Sequence, residues 1–100
     1  MAMALTSSQE MTLTKISEPI MASVIILNDD YTPMDFVINI LMSVFEKNQD
    51  QATQIMLEVH HKGSGVCGIY PYDIAELKLQ IAREKTKTAQ LPLQLELQIL

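Results

Sequence analysis

The sequence is short of basic charge, of cysteine and of long apolar runs, and each shortage excludes something. Seven bases stand against twelve acids, a net charge of -5 and a pI near 4.8, so general attraction to nucleic acid or to anionic lipid is excluded. Cysteine occurs once, as Cys67, which rules out an internal disulfide and fits a reducing compartment. The longest unbroken apolar run, Met1 to Leu5, is far below the roughly 18 residues of a membrane-spanning helix. A secretory leader begins with basic residues, whereas the first positive charge here is Lys15, behind Glu10, so a cytoplasmic location is expected. What is present is core material: 48% of the 100 residues are hydrophobic and 19% charged, enough for one globular domain and too short for two.

Charge is unevenly distributed. Six acids (Asp29, Asp30, Asp35, Glu46, Asp50, Glu58) face Lys47 alone between Ser23 and His61, while Asp73 to Lys87 carries three acids and four bases. Residues 1–22 are rich in Ser, Thr and Met without sustained periodicity and read as a flexible N-terminal arm, leaving 23–100 as the domain.

Within the domain, Val24 to Leu27 reads as a buried strand that ends at the turn-favouring Asn28, Asp29 and Asp30. Thr32, Pro33 and Asp35 read as a helix start with Thr32 as the cap, and the apolar series Met34, Val37, Leu41, Val44 carries that helix to about Glu46. Asn48 with Gln51 predicts a capping box for a second helix, which stops at Gly63. A strand at Val66 to Tyr70 follows, then a third helix marked by Ile74, Leu77 and Ile81. Leu93, Leu95, Leu97 and Ile99 alternate with polar residues as a final half-buried strand. The order is βααβαβ, and the expected class is α+β: a three-stranded, mainly antiparallel sheet with three helices on one face.

Three constellations could carry chemistry. Gly63, Gly65 and Gly68 spell G-x-G-x-x-G, but a nucleotide fingerprint needs a strand before it and a helix after it, the reverse of the order here, so they read as a tight helix-to-strand turn. His60 and His61 with Cys67 invite a metal or nucleophile reading. Adjacent helical residues project about 100° apart, however, and Cys67 sits in an apolar strand as a small hydrophobe. The third is Asn28, Asp29 and Asp30 with His60. Each alone is a turn or helix-edge residue, but if the second helix packs on the first strand they form a rim of acceptors suited to an ammonium. Met34, Val37, Met56 and Val59 would then supply an apolar floor, the bland alternative being that these four are simply core.

The runs V-I-I-L-N-D-D-Y-T-P-M-D-F-V (Val24–Val37), Q-A-T-Q-I-M-L-E-V-H-H (Gln51–His61), G-V-C-G (Gly65–Gly68) and A-E-L-K (Ala75–Lys78) closely resemble the ClpS family over about residues 23–97. ClpS proteins are small bacterial adaptors that deliver N-end-rule substrates to the ClpAP protease. The resemblance implies a binding module, not an enzyme, with no cofactor and no metal. It implies that Asn28, Asp29, Asp30, Thr32 and His60 bind the free α-amino group of an N-degron. The first side chain (Phe, Tyr, Trp or Leu) would enter a pocket of Ile26, Leu27, Met34, Val37, Met56, Val59 and Leu93, with Met34 as a gate against β-branched residues. It further implies that the surface around Asp73, Glu76 and Lys78 meets the N-terminal domain of a ClpA-type AAA+ unfoldase. The partners are thus N-degron peptides and an unfoldase, with neither nucleic acid nor membrane. Pro71 and Tyr72 depart from the family, which usually has a Thr or Ser cap there. Two other classes stand beside this reading: a metal-binding module using Asp29, Asp30 and His60, and a small interaction domain like the C-terminal domain of the ribosomal stalk protein.

Overall fold

The computed structural model describes residues 18–100. The elements run β1 (Met21–Leu27), α1 (Met34–Ser43), α2 (Gln49–Lys62), β2 (Ser64–Pro71), α3 (Tyr72–Thr88) and β3 (Gln94–Ile99), so the expected βααβαβ order holds. The sheet order is β2-β1-β3 and both pairings are antiparallel. The apolar, β-branched β1 takes the centre, where both of its edges are paired. Its alternate residues Ala22, Val24 and Ile26 are fully buried against the helices. Leu95 and Leu97 of β3 stand opposite Ile26 and Val24 on that same face.

β1 begins at Met21, earlier than the apolar run suggests, because Met21, Ala22 and Ser23 pair with Pro71, Tyr70 and Ile69. The last two residues assigned to the arm therefore belong to the sheet, and the arm's residues 1–17 lie outside those described. In β2 a bulge interrupts the register: Val24 opposes Gly68 and Ile25 opposes Val66, which leaves Cys67 as the additional residue.

α1 starts differently from expectation. Its cap position is Pro33, whose carbonyl accepts from the amides of Phe36 (3.1 Å) and Val37 (3.3 Å), and no side chain caps it. Thr32 is not the cap, because its hydroxyl donates to Asp29 instead. The helix stops at Ser43, short of Glu46: Glu46 takes a positive φ of 59°, and the Lys47 amide reaches back to the Leu41 carbonyl at 3.1 Å. The Lys78 ammonium of α3 donates to the freed Val44 carbonyl at 2.9 Å, 3.8 Å from Glu46 and 5.2 Å from the Tyr70 ring centre. α2 carries the predicted capping box of Asn48 and Gln51, and Gly63 closes it at φ 92°.

α3 lies on the sheet through Ala75, Leu79, Ala82 and Thr86. The apolar series expected to mark this helix, Ile74, Leu77 and Ile81, faces outward, 43%, 56% and 41% exposed. Small side chains let the helix approach the sheet closely, and periodicity alone does not say which of two apolar stripes is turned inward. No side chain caps α3 from Pro71; the Tyr72 amide donates to the Ile20 carbonyl at 2.8 Å, and the Ile74 amide donates to Asp73 Oδ1 at 2.9 Å.

Candidate functional site

The end of β1 and the end of α2 are joined by main chain. Leu27 pairs with Ser64 at the start of β2, and the Asn28 amide donates to the Gly63 carbonyl at 2.9 Å. His60, on the last turn of α2, is thereby brought beside the loop that follows β1. Gly65 permits the approach: a Cβ built there would lie 2.8 Å from a Val59 methyl, so only glycine lets α2 sit this close to β2.

At this junction lies a cavity of about 200 Å³, lined by Leu27, Asn28, Asp29, Asp30, Thr32, Met34, Val37, Met56, Val59, His60 and Leu93. Every lining residue was singled out from the sequence. The floor is apolar and buried: Val37 from α1, Met56 and Val59 from α2, and Leu93 from the approach to β3. Met34, the first residue of α1, is 53% exposed and contributes to the lining from the solvent side. Ile26 is the exception among the expected pocket residues. Ile26 is fully buried in the core, whereas Leu27, the last residue of β1, lines the cavity.

The rim is built by a hydrogen-bonded turn. Asp29 Oδ1 accepts from the amides of Tyr31 (2.8 Å) and Thr32 (2.7 Å), and Oδ2 accepts from the Thr32 hydroxyl (2.7 Å). Burial pushes the Asp29 carboxyl upward, but the hydrogen bonds from the Thr32 side chain and the two amides outweigh it and hold the group below the ordinary carboxylate value. Asp29 and Thr32 thus spend their polar groups on shaping the loop. Asn28, Asp30 and His60 are exposed rim residues. Together they offer a carboxamide oxygen, a carboxylate and an imidazole nitrogen to a donor at the mouth.

His61 packs against His60 with ring centres 5.4 Å apart but does not line the cavity. Among the described residues no group of three His, Cys, Asp or Glu is placed to hold a metal ion. Cys67 is fully buried, and burial pushes its thiol up to about 12 despite the opposing charge of Lys47, a state unsuited to nucleophilic chemistry. Asp73 and Glu76 are exposed on α3, which contributes nothing to the cavity. Lys78, expected with them on the surface that meets the unfoldase, has a side chain only 17% exposed and an ammonium engaged by Val44. No helix of the described residues is long and apolar enough to cross a membrane.

Comparison with known proteins gives this geometry a context. Residues 17–96 match the profile of the family described as ATP-dependent Clp protease adaptor protein ClpS. A ClpS adapter protein of Campylobacter jejuni is 53% identical over 87 residues, covering 87% of this chain and 91% of the relative. One from Helicobacter hepaticus is 56% identical over 80 residues, covering 80% and 81%. Among solved structures, Agrobacterium tumefaciens ClpS2 bound to L-phenylalaninamide superposes with a TM-score of 0.79 at 36% identity, covering 83% of this chain and 100% of that one.

Proposed function

The chain belongs to the ClpS family of Clp protease adaptors, which are not enzymes, and from that premise we propose that its cavity reads the first residue of N-degron substrates for delivery to a ClpA-type unfoldase. The observation that carries this is the single cavity that joins a polar, acceptor-rich rim to a buried apolar floor. A free α-ammonium brings three N–H donors, which match Asn28, Asp30 and His60, with Asp29 and Thr32 holding the loop in place. The side chain of the same residue drops onto Val37, Met56, Val59 and Leu93, past Met34 at the mouth. An apolar cavity of about 150 Å³ accepts a benzene ring. About 200 Å³ therefore suits one phenyl or isobutyl group, and Phe and Leu lead the set of Phe, Tyr, Trp and Leu. The ligand of the A. tumefaciens relative, L-phenylalaninamide, has the same two parts, a free α-amine and a phenyl side chain.

Magnitudes agree. Burial of one such side chain contributes about 1.5–3 kcal/mol, and each hydrogen bond to the charged amine roughly 1.5–3. Three bonds plus the pocket give about 6–12 kcal/mol, and with at least about 4 kcal/mol lost on association, micromolar binding, about 8 kcal/mol, is the upper limit. For the unfoldase, we assign the outer face of α3: Asp73 and Glu76 are exposed beside the outward stripe Ile74, Leu77 and Ile81, an apolar surface that a docking partner would cover. Lys78 is left out of that face, because its ammonium is engaged by the Val44 carbonyl at the end of α1.

Titration of fluorescent peptides that begin with Phe or Leu tests the reading. Acetylation of the amine removes the cation and leaves the rim unpaired, so affinity should fall roughly a hundredfold. Equal affinity for free and acetylated peptides would refute it.

A further inference from the structure

Building on the reading of the cavity just given, we propose that Met34 is a reversible oxidation site through which peroxide lowers the adaptor's affinity for N-terminal residues. The lining holds two thioethers in contrasting positions. Met34 is 53% exposed at the mouth, whereas Met56 is 8% exposed in the floor. A small oxidant arriving from solvent therefore meets Met34 first. The one thiol of the sequence, Cys67, is fully buried and held as the thiol, so it does not compete.

The step balances with hydrogen peroxide as the oxidant. A sulfur lone pair of Met34 attacks one peroxide oxygen, the O–O bond breaks, the S–O bond forms, and the second oxygen leaves as water; sulfur is oxidised and peroxide is reduced by two electrons. A methionine sulfoxide reductase reverses it: its dithiol takes up the oxygen as water and becomes a disulfide. The product replaces a flexible apolar side chain with a bulkier, strongly dipolar one. That dipole stands where the apolar side chain of the incoming residue must pass, and desolvating it without a full set of partners weakens binding roughly tenfold. Phe and Leu side chains both have to pass this position, so peptides that begin with either should weaken, although the α-amine contacts at Asn28, Asp30 and His60 are untouched.

The experiment treats the full-length chain with hydrogen peroxide, locates added oxygen by mass mapping of peptides, and measures affinity for a Phe-initiated peptide. Affinity should fall roughly tenfold as Met34 converts and should return after reductase with a dithiol. Met34→Leu should show no peroxide-induced change relative to its own untreated value. Met42→Leu, which removes an exposed thioether outside the cavity, should respond as the parent does. Unchanged affinity with Met34 fully oxidised overturns the proposal, as does an equal peroxide effect in Met34→Leu. If the untreated parent fails to distinguish free from acetylated peptides, the reading of the cavity itself is wrong, a separate and recognisable result.

Discussion

Gly65→Ala pits two effects of opposite sign against each other. Gly65 does not occupy the positive-φ region, so its backbone accepts alanine, and the lower entropy of the unfolded chain alone would stabilise the protein by about 0.4–1 kcal/mol. The new methyl, however, would lie 2.8 Å from Val59 Cγ2, with Ile55 Cγ2 at 3.5 Å and the Ile55 carbonyl at 3.6 Å beside it. Carbon atoms in good contact are about 3.5–4.0 Å apart, so the gap must widen by roughly 0.7 Å or more. Valine in a helix is held to one rotamer, and the relief must come from lifting α2 off β2. Overpacking of this kind costs about 1–3 kcal/mol, which outweighs the entropic gain. The same movement displaces Val59 from the floor and His60 from the rim, so binding should suffer as well, by about fivefold for each 1 kcal/mol. Urea denaturation and anisotropy titration with a Phe-initiated peptide would measure both. Adding Val59→Ala removes the clashing methyl and should recover part of the stability. A Gly65→Ala protein that is more stable than the parent and binds as tightly would refute the argument.

On the proposed reading His60→Ala removes a rim group that all substrates would share, so peptides that begin with Phe, Leu, Tyr and Trp should weaken in parallel, by roughly tenfold each; a change confined to one of them counts against the amine role. Lys78→Met keeps the stem but leaves the Val44 carbonyl without its donor, a loss of about 1–3 kcal/mol, visible as a melting temperature lower by several degrees. An unchanged melting curve would show that the bond contributes nothing. Leu77→Asp places a charge in the outward stripe of α3 and should abolish capture of the unfoldase's N-terminal domain while the peptide titration stays as in the parent. Intact capture would move the docking face elsewhere. Asp29 titrates below its ordinary value in the folded protein, so the stability it adds is present above about pH 4 and is lost as pH falls through the folded value. Asn in its place should therefore narrow the gap in urea midpoint between pH 7 and pH 3, and an identical gap in parent and variant would contradict the turn's hydrogen bonds.

What was readable in the residues was local. The Asn48–Gln51 capping box, the stop at Gly63 and the alternation of β3 each depend on neighbours within a few positions; the first two are found in the structure, and the third holds at Leu95 and Leu97 but fails at Ile99, which is 60% exposed at the strand's end. The same locality explains the errors. Thr32 has the right chemistry to cap α1, but the Asp29 carboxylate, three residues earlier, takes its hydroxyl, and Pro33 becomes the cap without a side-chain bond. Ile26 and Leu27 both look like pocket material as letters, and only the packing shows that Ile26 is covered by the core while Leu27, at the strand's end, lines the cavity.

The sequence by itself determined the order of the elements, the membership of the ClpS family and every residue of the cavity lining, with Ile26 as the one addition that does not belong, because short-range pattern and distinctive motifs carry that information. Only the tertiary structure decided which side of α3 is buried, that Lys78 is held inside while its neighbours face solvent, and that α2 lies close enough to β1's end for His60 and Asn28 to share one rim. Those outcomes depend on how closely surfaces pack: Gly65 lets α2 settle onto β2 at Val59, and Lys78 reaches the Val44 carbonyl 34 positions earlier in the chain.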